Sequence, residues 1–304
     1  LYYGVSGSGL VCHTINPRLH REQIAFIIAH AQDRVIFADL TFVPLLEALA
    51  GQLADVKAVI VMTDEAHMPT SAVLPNLLCY ETLVEAESDL FEWPDFDENR
   101  ASGLCYTSGT TGDPKGVLYS HRSSVLHAMS SCFPDVLDLS AADTISPIVP
   151  MFHVNAWGIP FSGPMVGAKL VLPGPQLDGA SLHALFEQEG VTFTAGVPTV
   201  WLGLLDWLDS NQKSLSALKR VAIGGSAAPR VMIERFHSRG VTVRHAWGMT
   251  ETSPIGLAAS PKIKHEALPL EERLTLDAKQ GRPVFGMEFR IDGADGSPTV
   301  RDGK

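Results

Sequence analysis

The sequence predicts an α/β protein built on two helix-flanked β-sheets, and three observations carry that expectation. Short β-branched runs alternate with apolar residues at helical spacing along most of the 304 residues. Hydrophobic residues make up 45% of the chain, enough to bury one large core or two modest ones. Segments rich in glycine and hydroxyl side chains stand directly after predicted strands, where such folds keep their ligand loops.

The elements follow in order. Ile24, Ile27 and Ile28 at helical spacing predict a helix over Arg21 to Ala31, and Val35-Ile36-Phe37 a strand after it. A second helix is expected over Val43 to Leu49 and a second strand over Ala58 to Met62. The acidic, proline-interrupted stretch Ser88 to Asn99 reads as a linker, giving a first α/β subdomain over residues 1–95. A second α/β subdomain, 96–280, opens with a strand at Leu104-Cys105-Tyr106, a Gly/Thr loop and a helix through Val125. Strands are then expected at Ile145 to Val149 and Leu170 to Leu172, and a helix at Ser181 to Gln188. Strand Thr192 to Ala195, a helix through Leu205, strand Val221 to Ile223, a helix from Val231 to His237 and strand Val241 to Arg244 complete the alternation. The tail 281–304, with Asp292-Gly293 and Asp295-Gly296 after Glu288 to Ile291, predicts a hairpin that opens a β-rich subdomain.

Charge and composition exclude several functions. The formal net charge is −11, with acids gathered between Glu81 and Glu98 and no basic face, so nucleic acid is not expected as a partner. No apolar stretch approaches the roughly 20 residues that a bilayer span needs, and a cytoplasmic protein is the expectation. The start Leu1-Tyr2-Tyr3, without Met or a basic leader, reads as N-terminally truncated. Cys12, Cys79, Cys105 and Cys132 lie too far apart for a zinc motif or a disulfide framework and are expected as thiols.

The most informative segment is Thr107-Ser108-Gly109-Thr110-Thr111-Gly112-Asp113-Pro114-Lys115-Gly116. Glycines expose successive amides, hydroxyls donate to phosphate oxygens and Lys115 adds charge, a combination suited to a polyphosphate. No Gly-Lys-Ser/Thr follows at the spacing of a Walker A loop, which disfavours a P-loop NTPase. A surface turn is the alternative for the segment, and a solvated lysine the alternative for Lys115.

These ten residues resemble the phosphate-loop signature of the adenylate-forming superfamily, Thr-Ser-Gly-Thr-Thr-Gly-x-Pro-Lys-Gly, and match it throughout. That superfamily contains acyl-CoA synthetases, luciferases and the adenylation domains of peptide synthetases. The resemblance continues through His13-Thr14-Ile15-Asn16-Pro17-Arg18-Leu19 and Gly196-Val197-Pro198-Thr199-Val200-Trp201, and so spans nearly the whole chain. It implies the large N-terminal domain of the adenylate-forming fold, with the C-terminal domain absent.

The resemblance also implies roles. Thr107, Ser108, Gly109, Thr110, Thr111, Gly112 and Lys115 would hold ATP phosphates. Gly225, Ser226 and Ala227, in Gly224-Gly225-Ser226-Ala227-Ala228-Pro229, would pack on the adenine. His245, Ala246, Trp247, Gly248, Thr250 and Glu251 occupy the stretch that in the family is Tyr-Gly-x-Thr-Glu, and would bind AMP. Trp247 stands in place of the usual Tyr, so stacking is kept and the phenolic hydroxyl is lost. Thr107 and Glu251 are the expected Mg2+ contacts. The alternatives are a core aromatic at Trp247 and a solvated carboxylate at Glu251.

Substrate class is read from Val149-Pro150-Met151-Phe152-His153-Val154-Asn155-Ala156-Trp157, since residues from Pro147 to Ala168 include no Asp, Glu, Lys or Arg. An uncharged wall suits an alkyl chain, and no Asp is present for an amino-acid ammonium. The segment resembles the gate region of fatty-acyl-CoA synthetases, which implies Trp157 as acyl gate, Val154 beside the nucleotide and His153 near the reacting carboxylate. A core Trp157 and a satisfied buried His153 are the alternatives. Thr107, Lys115, His153 and Glu251 are the expected catalytic residues.

The expected function is that of a fragment of a medium- or long-chain fatty acid–CoA ligase. It would form an acyl-adenylate with release of pyrophosphate, then the CoA thioester, using ATP, CoA and Mg2+. A ligase for methylthiopropionate or an aryl acid, a luciferase, and a nucleotide-binding fragment without turnover are the alternatives. The ribose-binding Asp, a hinge Arg and the catalytic Lys are expected beyond Lys304, and a homodimer is expected of the full-length protein.

Overall fold

The computed structural model describes residues 1–107 and 113–299. They form two compact units, Leu1–Arg122 and Ser123–Lys304. This division falls later than the expected boundary at 95/96, because the strand that follows the acidic linker pairs back onto the first strand of the chain.

In the first unit β1 (Cys12–Thr14), β2 (Val35–Ala38), β3 (Ala58–Val61), β4 (Leu77–Cys79), β5 (Ala101–Thr107) and β6 (Lys115–Ser120) make two three-stranded sheets. β2, β3 and β4 are parallel, in register Val35 with Ala58 and Val59 with Leu77. Helices Arg21–Ala31 and Val43–Leu49 cover this sheet, burying Ile24, Ile28, Leu46 and Leu49 against Val59 and Val61. The second sheet has the order β1-β5-β6, with β5 parallel to β1 and antiparallel to β6. β6 was not expected from the sequence. Thr107 pairs with Lys115, so β5 and β6 are the two arms of a hairpin.

The second unit holds β7 (Thr144–Pro147), β8 (Lys169–Leu170), β9 (Phe193–Gly196), β10 (Arg220–Ile223), β11 (Thr242–Gly248), β12 (Ile255–Ala258) and β13 (Arg282–Pro283) in one sheet. Its order is β13-β12-β11-β10-β9-β7-β8. The strands from β8 to β11 are mutually parallel, and β12 and β13 extend the sheet in antiparallel fashion.

Both faces of the parallel strands are covered. Val221 and Ile223 face a core made with the helices Gly179–Glu189, Pro198–Ser210 and Arg230–His237, through Leu182, Phe186, Trp201, Leu204, Met232 and Phe236. Ala222, between them, faces the other core with Phe193, Ala195, Ala156 and Trp157. The two-residue period of a strand sorts these side chains to opposite faces, which is why the strands read as apolar runs without alternation. Helix ends are marked by their caps: Asp178 accepts from the backbone of Ala180 and Ser181 at 3.1 and 3.0 Å, and Gly190 closes the same helix at φ 64°.

The tail departs from expectation. Glu288 to Ile291 form no strand, and the hairpin is reduced to a turn in which Gly293 donates to the Ser297 carbonyl at 2.8 Å and Asp292 bridges Pro298. Among the described residues no helix is long and apolar enough to cross a membrane.

Candidate functional site

Because β7, β9, β10 and β11 run parallel, the segments that follow them leave from the same edge of the sheet. Those segments are Ile148 to Trp157, Val197-Pro198, Gly224 to Pro229 and Met249 to Glu251. From β7 the chain crosses to β8 on one side and then to β9 on the other. Such a reversal of strand order opens a crevice at the carboxyl ends of the strands, the usual ligand position in open α/β sheets.

Glycines let these segments meet. A Cβ on Gly224 would lie 3.0 Å from Trp157 Cη2 and 3.2 Å from the Ala246 carbonyl, so the indole edge from the β7 segment lies on bare backbone at the end of β10. Gly225, at φ 79°, has the left-handed backbone that favours glycine and packs beside Val197. Gly225, Ser226 and Ala227 are exposed and form an accessible rim.

The β7 segment is bent to fit. Val154, Asn155, Ala156 and Trp157 have φ of 48°, 50°, 48° and 56°, a turn of left-handed helix that ends on Gly158 at φ 75°. Left-handed helical backbone costs about 1–2 kcal/mol for each residue with a side chain, so four in succession cost on the order of 4–8 kcal/mol. Such a turn persists only where its surroundings over-determine it. Here Ala156 (0% exposed) and Trp157 (7%) are buried in the sheet-facing core, and Val154 is buried as well.

One residue that the sequence did not single out supports this turn. His127, on helix His121–Cys132, accepts the Ile255 backbone N–H at Nε2, 3.2 Å away. A Cβ on Gly158 would be 2.7 Å from His127 Nδ1 and Cε1, so the imidazole edge fills the place of the missing side chain. Burial depresses the His127 pKa to about 4, and the proton of the neutral ring sits on Nδ1 because Nε2 accepts.

The remaining expected residues divide by what they leave available. Glu251 is exposed and Thr250 buried, in the tight connection between β11 and β12. That connection depends on Gly248, where a Cβ would meet the Pro254 carbonyl at 1.9 Å. Thr252 Oγ1 accepts from the Met249 N–H at 2.9 Å and fixes the turn from within. Trp247 is half-buried, one face against Gly256 and its ring edge-on to Phe289 with centroids 5.3 Å apart. Ala246 is buried and Gly248 exposed.

His245, expected as a nucleotide contact, has its imidazole committed within the protein. Nδ1 donates to the Ala278 carbonyl at 3.0 Å, Nε2 accepts from Ala228 N–H at 3.3 Å, and burial lowers its pKa. The ring thereby ties the Gly224 to Pro229 turn to the middle of β11 and to Ala278. His153 is solvent-accessible, and desolvation by its surroundings lowers its pKa, favouring the neutral imidazole.

In the first unit, Thr107 ends β5 half-buried, with its hydroxyl donating to the Lys115 carbonyl at 3.4 Å, and the Lys115 side chain is exposed. Ser108, Gly109, Thr110, Thr111 and Gly112 lie outside the described residues.

Comparisons with known proteins agree on a family. The description "AMP-binding enzyme" matches residues 1–304. A medium-chain-fatty-acid–CoA ligase of Ectopseudomonas oleovorans is 54% identical over 305 residues, which cover all of this chain and 56% of that protein. A 3-methylmercaptopropionyl-CoA ligase of Ruegeria lacuscaerulensis is 52% identical over 304 residues, again covering all of this chain and 56% of the relative. A long-chain-fatty-acid–CoA ligase of Thermus thermophilus is 48% identical, with 54% of its length covered. The chain thus spans just over half the length of the curated relatives it matches. Among solved structures, the anthranilate CoA ligase AuaEII in complex with anthranoyl-AMP superposes with a TM-score of 0.84 over 98% of this chain and 55% of its own, at 22% identity, a likeness of fold. With a family match along its whole length and relatives near half identity, the chain belongs to the AMP-binding enzymes.

Proposed function

We propose that the chain is the nucleotide- and acyl-binding part of an ATP-dependent acid–thiol ligase, which joins a fatty acid to AMP with release of pyrophosphate and then passes the acyl group to CoA. The observation that carries this reading is the meeting of the uncharged β7 segment with the glycine turn after β10, where Trp157 lies against Gly224 and the Ala246 carbonyl. An apolar, charge-free wall from Pro147 to Ala168 suits an alkyl chain, and the accessible rim Gly225 to Ala227 suits a flat ring.

Each residue has a stated task in this scheme. Trp247 keeps an accessible aromatic surface for adenine, and Lys115 together with the loop that begins at Thr107 neutralises phosphate charge. His153, neutral at pH 7, offers one donor and one acceptor to the carboxylate or to its mixed anhydride. No protein nucleophile is needed, because the carboxylate attacks the α-phosphorus and the CoA thiol attacks the acyl carbon. Catalysis rests on positioning and charge neutralisation.

Among the described residues no three His, Cys, Asp or Glu side chains come together as a metal cage. The exposed Glu251 carboxylate suits a magnesium ion whose other oxygens come from nucleotide phosphates and water. When bound, that ion would offset the negative charge of the polyphosphate.

A second reading, a ligase for 3-methylmercaptopropionate, is favoured by an identity of 52% beside the 54% of the fatty-acid ligase. Thioester formation by the complete protein that contains this chain, assayed with fatty acids of several lengths, 3-methylmercaptopropionate and an aromatic acid, decides between them. The proposal expects the highest kcat/KM for a medium- or long-chain acid. Preference for the thioether acid would replace it with the second reading, and no thioester with any acid would reject both.

A further inference from the structure

The left-handed turn at the expected acyl gate needs an external support, and three observations within the second unit identify one. The edge of the His127 ring occupies the space of a side chain at Gly158, the residue that ends the turn. The far nitrogen of the same ring receives the Ile255 N–H at 3.2 Å, from the strand that returns after Glu251. On the other side of the turn, Trp157 lies against Gly224. A continuous set of contacts therefore runs from β12 through His127 and Gly158 to Trp157 and the glycine rim.

We propose that His127 is a positioning and specificity-determining residue: wedged under Gly158 and pinned by the Ile255 N–H, it fixes the Val154–Trp157 turn and thereby sets which carboxylates the Trp157 gate admits. His127 touches no substrate, and the inference rests on the acyl-ligase reading above. Its physical basis is that a left-handed run of residues with side chains relaxes once its support is withdrawn. A shift of the indole by a fraction of an ångström alters an apolar tunnel more for one chain length than for another.

The test uses the complete protein that contains this chain, as wild type, His127→Leu and His127→Gln. Leu keeps volume but leaves the Ile255 N–H without an acceptor, whereas the Gln Oε1 can stand where Nε2 stands. The readout is the ratio of kcat/KM for a short acid to that for a long acid, in which the amount of folded enzyme cancels. The Leu variant is expected to change this ratio by about tenfold or more while the KM for ATP changes less, and Gln is expected to restore the ratio to within about threefold. Should the Leu variant not fold, His127→Asn, shorter and polar, carries the same measurement. A ratio unchanged in the Leu or Asn variant, with an active wild type, overturns the proposal. A wild type that activates no carboxylate overturns the ligase reading, and the proposal with it.

Discussion

His127 should make the second unit sensitive to acid in a way that one substitution removes. Folding lowers its pKa from the ordinary histidine value of 6.5 to about 4, through burial. Between those values the unfolded chain binds a proton that the folded chain refuses, so stability is complete above pH 6.5 and falls as the pH drops towards 4. At 1.36 kcal/mol for each pH step, the difference between pH 7.5 and pH 4 is about 3 kcal/mol. His127→Gln cannot titrate. Denaturant unfolding of both proteins, followed by tryptophan fluorescence, gives the stability difference at each pH. Other histidines with lowered pKa, among them His237 and His245, are common to both and cancel. The wild-type advantage should shrink by about 3 kcal/mol between pH 7.5 and pH 4. A difference that stays constant over that range would refute the placement of His127 as a buried, neutral acceptor.

Two further outcomes follow from the geometry. Gly248→Ala must push the Pro254 carbonyl back by about 1 Å, from 1.9 Å to at least 3.0 Å, and displaces the turn that carries Glu251; turnover by the complete protein should fall about 100-fold, and stability by about 1–3 kcal/mol, as steady-state kinetics and thermal melts would report. Asp143→Ala removes the acceptor of Arg220 at 2.7 Å and of Thr192 at 2.7 Å, and leaves the Arg220 guanidinium, only 14% exposed, with the Asp138 carbonyl at 3.0 Å as its remaining close acceptor, so chemical unfolding should register a loss of about 1–3 kcal/mol.

Much of the framework was legible because local pattern and tertiary role agree. Arg21–Ala31 and Val43–Leu49 form as helices at the residues their apolar spacing marked, since that spacing is the buried face itself. β6 was not legible. Three of the six residues of Lys115–Ser120 are exposed and Tyr119 is the one fully buried, so the segment lacks the one-sided apolar alternation by which a strand is recognised. The left-handed turn was hidden for another reason: Val-Asn-Ala-Trp carries no glycine, and its conformation is imposed by Trp157 on Gly224 and His127 under Gly158. His245 was assigned by motif position, yet its ring is used by residues 17 and 33 positions away, which no local reading reveals. His127 lies in a helix with no informative spacing, and only its burial and its two contacts disclose it.

The proposed function requires that residues of this chain activate a carboxylate as its adenylate. Carboxylate-dependent exchange of labelled pyrophosphate into ATP measures that half-reaction without CoA. With the complete protein that contains this chain, a medium- or long-chain fatty acid should start the exchange, and Glu251→Ala should suppress it by at least about tenfold. Exchange that needs no carboxylate, or none with any acid offered, would rule that function out.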